Sequence, residues 1–222
     1  MTGDTGRLLC RIPAALALAL MTPRHPRLSA LLCLLGANVC GVADAAVFTV
    51  TVSSGQGLPM ADAVVAVEVR GASTRAAPGT QAELGQRGKR FTPSVLAVQT
   101  GTEVNFPNFD TVRHHVYSFS PIKPFELKLY AGTPASPVRF DKPGVAVLGC
   151  NIHDKMTAYV RVVDTPYFAR TDAAGRALLD VPPGDHRLTI WHAGLGVDTP
   201  SPSRPLKLGA APTSLSVTLD AP

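Results

Sequence analysis

Several things are scarce in this chain of 222 residues. Tryptophan occurs once, at Trp191, and aromatic residues together make up 6%. That leaves no aromatic platform of the kind that binds sugars. Charged residues make up only 17%, and no stretch beyond residue 45 shows sustained 3.6-residue apolar periodicity with helix caps, so long amphipathic helices are excluded. There is no G-x-S-x-G elbow, no glycine-rich phosphate loop and no carboxylate pair in a matching context, which leaves no enzymatic motif and the expectation of a non-enzyme. The upstream apolar run "AALALAL" is too short to cross a bilayer, so no membrane span is expected.

Cysteine is scarcer than its count of four suggests. Cys10, Cys33 and Cys40 precede residue 45, which leaves Cys150 alone in the rest of the chain. A disulfide framework is therefore excluded within it. A lone thiol in an exported protein is buried and inert, paired between molecules, or a metal ligand.

The first 45 residues read as a targeting extension. From Met21, the expected start, a basic segment with Arg24 and Arg27 leads into an apolar run from Leu28 to Val42. Ala43-Asp44-Ala45 then forms an A-x-A cleavage signal, predicting a mature chain from Ala46. The expected product is soluble and periplasmic. The formal net charge of +5 rests partly on this segment: without Arg7, Arg11, Arg24, Arg27, Asp4 and Asp44 it falls to +3. The remaining cations are scattered apart from Arg87, Lys89 and Arg90, so no nucleic-acid partner is expected.

What is plentiful is β signal. Twenty prolines and nineteen glycines punctuate short runs rich in Val, Thr, Phe and Tyr, which predicts an all-β protein. Within it, "GCNIHDKM" places Cys150, His153 and Met156 in one short segment. The flanking "VAVLG" and "AYVRVV" read as strands, so the three side chains fall on a hairpin-like loop that could curl around one ion. Thiolate, imidazole and weak thioether are the donors of a His2Cys copper site with an axial Met. Structural zinc sites seldom include Met. The missing imidazole lies upstream, where "VNFPNFDTVRHHVYSFS" offers His114 and His115.

Here the sequence resembles the cupredoxins of the plastocyanin and amicyanin type. Phe91-Thr92-Pro93, the Val98-x-x-Gly101-x-x-Val104 turn and the Asn108-x-Asp110 loop resemble the first half of such a domain. "FDKPGVAVLGCNIHDKM" resembles the second, with the Cys-x2-His-x2-Met spacing of amicyanin. The block also resembles exported bacterial proteins labelled methylamine-utilisation proteins. The resemblance implies one mononuclear copper ion held by His114, Cys150, His153 and Met156. His114 is preferred to His115 because Val116 then matches the family's apolar position two residues after the ligand. Departures are His115, where a small polar residue is usual, and Leu148, where an aromatic is frequent. The resemblance further implies a Greek-key sandwich, single-electron transfer with transient redox partner proteins, and an electron port at His153 with Lys155 beside it. Alternatives are a copper carrier or store, and a non-redox cell-envelope binding module.

The remaining segments resemble a carboxypeptidase regulatory-like, or prealbumin-like, β-sandwich, through "GLPMADAVVAV", "TDAAGRA" and "PPGDHRLTI". The expected organisation is an extension over 1–45, a first part of this sandwich over 46–72, a linker over 73–86, a cupredoxin domain over 87–163 and a second part of the sandwich over 164–222. The cupredoxin domain would then be inserted in a loop of the other, and the protein is expected to be a monomer.

Overall fold

The computed structural model describes residues 46–220. The targeting extension, its start and its cleavage signal lie outside the described residues. Apart from one short 3-10 turn at Ala193–Leu195, the described elements are strands. The described residues are all-β, and no described helix is long and apolar enough to cross a membrane.

The strands are β1 (Ala46–Ser54), β2 (Val64–Glu68), β3 (Gln81–Glu83), β4 (Gly85–Gln86), β5 (Phe91–Thr92) and β6 (Val95–Gln99). Next come β7 (Glu103–Asn105), β8 (His114–Ser118), β9 (Phe125–Tyr130), β10 (Val138–Arg139), β11 (Gly144–Cys150) and β12 (Thr157–Val163). The last are β13 (Phe168–Arg170), β14 (Arg176–Val181), β15 (Gly184–Trp191), β16 (Ser203–Leu208) and β17 (Thr213–Leu219).

Two sandwiches result. In the first, a sheet in the order β14-β1-β17 faces a sheet in the order β13-β2-β15-β16. In the second, the five-stranded sheet β6-β12-β11-β8-β9 faces the small sheets β10-β7-β3 and β4-β5. Its non-consecutive neighbours give the crossing order of a Greek key rather than a meander.

The alternation in the sequence explains which faces are buried. In β1, Phe48, Val50 and Val52 all point into the first core and are fully buried, the period of two that a half-buried strand demands. Strand β2 differs, because "VVAV" is apolar at every position. Val65 and Val67 join the core of their own sandwich. Val64 and Ala66 pack on the other face with Val95, Val145, Val163 and Trp191, which belong to strands of both sandwiches. A strand covered on two faces reads as a continuous apolar run.

The chain leaves the first sandwich after β2 and returns at β13, and these two strands pair antiparallel with Ala66 opposite Phe168. The Val67 amide donates to the Tyr167 carbonyl at 2.8 Å, and Thr165 Oγ1 donates to the Val67 carbonyl at 2.6 Å. Residues 69–167 thus begin and end side by side. Farther along, β2 also pairs with β15, with Val64 opposite Trp191.

Trp191 is 1% exposed, with its ring centroid 5.7 Å from that of Tyr159 on β12. Truncating it to alanine removes the largest side chain shared between the sandwiches. Trp191→Ala is expected to lose about 3–5 kcal/mol in urea denaturation; a loss under about 1 kcal/mol would mean that this seam is not packed in solution.

Candidate metal centre

His114 and Cys150 sit on neighbouring strands. Strand β8 pairs with β11 so that Val116 lies opposite Cys150 and Tyr117 opposite Gly149. Alternation along β8 turns His114, Val116 and Ser118 inward and leaves His115 and Tyr117 half-buried on the other side. A shift of register between His114 and Val116 in the pairing with β9 marks a bulge beside the histidine, a device that commonly re-aims a side chain next to a site. His153 comes from the loop that closes β11 onto β12. That loop is tied by the Met156 amide donating to the His153 carbonyl at 2.9 Å and the Asn151 amide donating to the His115 carbonyl at 3.2 Å.

These elements bring three donors together. His114 Nδ1 is 3.8 Å and His153 Nδ1 3.9 Å from Cys150 Sγ, and all three atoms lie within 4.8 Å of one another. The two imidazoles tilt at 57° with centroids 5.0 Å apart. His114 is 0% and Cys150 4% exposed, and His153 is half-buried. Met156 is buried in the same hydrophobic cluster as Cys150. His115 lies outside this group: its Nε2 is 2.8 Å from Glu126 Oε1, a contact whose alignment does not make it a hydrogen bond.

The donor geometry fits a metal ion. With metal–nitrogen distances of about 2.0–2.1 Å, a metal–sulfur distance of about 2.3 Å and 120° between them, nitrogen and sulfur stand about 3.8 Å apart. The two Nδ1···Sγ separations match that edge. Two imidazoles, one thiol and a thioether residue form a soft set that suits copper.

A residue that sequence reasoning left out of the site completes it. Asp110 Oδ2 accepts from His114 Nε2 at 2.9 Å and from the Lys89 amide at 2.9 Å, while Oδ1 accepts from the Gly88 amide at 2.6 Å. A carboxylate can only accept, so Nε2 carries a proton, and in the neutral imidazole this leaves Nδ1 as the lone-pair nitrogen on the Cys150 side. The Lys89 amide, followed by the contacts with His114 and Gly88, holds the Asp110 carboxyl below its usual range. The signal available in the sequence was the Asn108-x-Asp110 pattern. Asn108 Oδ1 accepts from the Asp110 amide at 2.9 Å, and its Nδ2 donates to the carbonyls of Val112 and Tyr130.

A second buried polar group lies under β9. Tyr130 donates its hydroxyl to the Phe106 carbonyl at 2.7 Å and accepts from Gln86 Nε2. Burial pushes its pKa up to about 12, so it stays a donor at neutral pH.

No protein-family model matches the chain, and no curated protein matches it. Parts of it are similar to solved structures. One is the Cu-containing nitrite reductase from Thermus scotoductus SA-01, at 27% identity over 40% of this chain with a TM-score of 0.35; the chain spans 25% of that protein's length. Another is a purple cupredoxin from Nitrosopumilus maritimus, at 22% identity over 37% of this chain and 98% of that one, with a TM-score of 0.32. A third is amicyanin from Paracoccus versutus, at 15% identity over 43% of this chain and 96% of that one, with a TM-score of 0.32.

Proposed function

We propose that this chain is a periplasmic mononuclear copper protein that passes single electrons between redox partners. The observation that carries the reading is the convergence of His114 Nδ1, His153 Nδ1 and Cys150 Sγ at the separations of one ion's ligands. These three residues would hold the ion, and the Met156 thioether, buried in the same cluster as Cys150, would be a weak fourth donor. Copper would supply a one-electron couple whose potential the ligands and the surroundings of the sulfur tune.

The protein's part is to keep that donor set fixed. Asp110 locks the tautomer and the ring plane of His114 through a hydrogen bond that does not need the metal. The apolar packing of Cys150, Leu148 and Met156 excludes water from the sulfur. Half-buried His153 offers an imidazole edge near the surface, where a partner could approach. Transient partners of this kind meet through small interfaces. Burial also separates this reading from a copper carrier: delivery needs ligand exchange at an open site, and His114 and Cys150 are almost wholly enclosed.

The proposed organisation follows the strand pairing: the copper domain is inserted into a prealbumin-like sandwich formed by 46–72 and 164–222, and besides residues 87–163 it takes in β3 and β4 from the segment 73–86 expected as a linker, because they pair with β7 and β5. Export with cleavage after Ala45, and a monomeric state, belong to the same reading.

The decisive experiment adds Cu(II) to the purified chain and to Cys150→Ser and records visible and EPR spectra. An intense sulfur-to-copper charge-transfer band with narrow hyperfine splitting is expected, and it should vanish in the variant. A faint band shared by both would remove Cys150 from the site.

Asp110→Asn gives an independent check. Its amide can no longer act as a pure acceptor toward His114, Gly88 and Lys89 at once, so copper affinity in a competition titration should fall roughly 10- to 100-fold. Unchanged affinity would show that His114 is oriented without Asp110. In the metal-free chain the carboxyl is held below its usual value of 3.8. Its stabilising contribution is therefore complete above about pH 4 and is lost as the pH falls through the lowered value.

A further inference from the structure

The exposed edge of His153 lies in a concavity of about 400 Å³ formed with Lys89, Arg90, Asp154 and Lys155. Three cations there face one carboxylate. Lys89, Arg90 and Lys155 are all exposed, and none has a carboxylate partner among the ion pairs of the described residues. A merely solvated surface intersperses its charges; this concavity concentrates one sign around a single imidazole.

The backbone that carries two of these cations is held in place. Lys89 and Arg90 belong to the tight turn between β4 and β5, closed by reciprocal hydrogen bonds between the backbones of Arg87 and Arg90 at 2.9 and 3.2 Å. Gly88 and Lys89 have φ of +60° and +57°, the two left-handed residues of a type I′ turn. A lysine in that conformation is uncommon. The amides of Gly88 and Lys89 both donate to Asp110, the same carboxylate that orients His114. The tip of the turn is therefore fixed to the candidate ligand shell, and the backbone that carries Lys89 and Arg90 is set before any partner arrives.

We propose that this basic concavity around His153 docks an acidic patch on a partner protein, with partner carboxylates seated among Lys89, Arg90 and Lys155. As an account of how electrons reach the site this rests on the copper reading, but the docking itself does not require the metal. Such a contact is steered by opposite charge and weakened by salt. A protein fits better than a nucleic acid, because the concavity has no Phe, Tyr or Trp for base stacking and the cations form a cup rather than a stripe along a backbone.

The test uses the isotope-labelled, metal-free chain with octaglutamate as probe and octalysine and an eight-nucleotide oligothymidine as comparisons, followed by NMR. Octaglutamate is expected to shift the amides of Gly88, Lys89, Arg90, Asp154 and Lys155 saturably. Its dissociation constant should rise about tenfold or more between roughly 20 and 200 mM salt. Lys89→Asn keeps a residue that tolerates the left-handed turn while removing the charge; it and Lys155→Gln should each weaken binding about threefold or more, and octalysine should leave these amides unmoved. No saturable shift, shifts spread evenly over Arg70, Arg75 and Arg204 as well, or tighter binding of the oligothymidine would each overturn the proposal. Octaglutamate binding by a chain that lacks the charge-transfer band would leave the docking intact and sink the copper reading. The band without octaglutamate binding would do the reverse.

Discussion

Strand β2 is buried on both of its faces, and the arrangement of the two sandwiches depends on that. Val65 and Val67 close the first core, while Val64 and Ala66 meet Val95, Val145 and Trp191 on the opposite side. A polar residue at any of these four positions would strand an unpaired group in an apolar layer, with a penalty of roughly 1–3 kcal/mol on mutational scales. The same strand pairs with β13 on one edge and β15 on the other. It therefore has neither a free face nor a free edge, and the five-stranded sheet packs against it through Val95, Val145 and Val163.

At the other end of that sheet, order comes from a single carboxylate rather than from apolar packing. Asp110 joins three N–H donors from two parts of the chain. Without it the left-handed turn at Gly88–Lys89 and the ring of His114 would be independent of each other. With it, the placement of surface charge and the aim of a buried nitrogen are set together.

Much of this architecture is legible in the residues. The period of two in β1 and the unbroken run in β2 are visible as letters, and so is the compact grouping of Cys150, His153 and Met156. What could not be read were the contacts that depend on register. His114 and His115 are the same residue type at adjacent positions; the sequence preferred His114 only through a resemblance, whereas the alternation along β8 is what buries His114 and leaves His115 half-buried on the other side. Asp110 looked like one member of a turn pattern, because its partners at Gly88 and Lys89 are more than twenty positions away and reach it only once β4 has docked beside Asn108. Lys155 likewise joined the Lys89 and Arg90 group, visible in the sequence, only when the turn at 87–90 met the loop at 153–155.

The hydrogen bond between Val67 and Tyr167 has a kinetic side. Strands β1 and β2 emerge early in the chain, yet all their partners in the first sandwich lie beyond residue 167. Closing so long a disordered loop is entropically unfavourable, and pairings of this range fold slowly. Collapse of the intervening segment removes most of that loop and delivers β13 to the side of β2. The connectivity therefore favours one order of events, in which the segment that bears His114, Cys150 and His153 would serve as an internal template for the pairing of the first and last strands of the described chain.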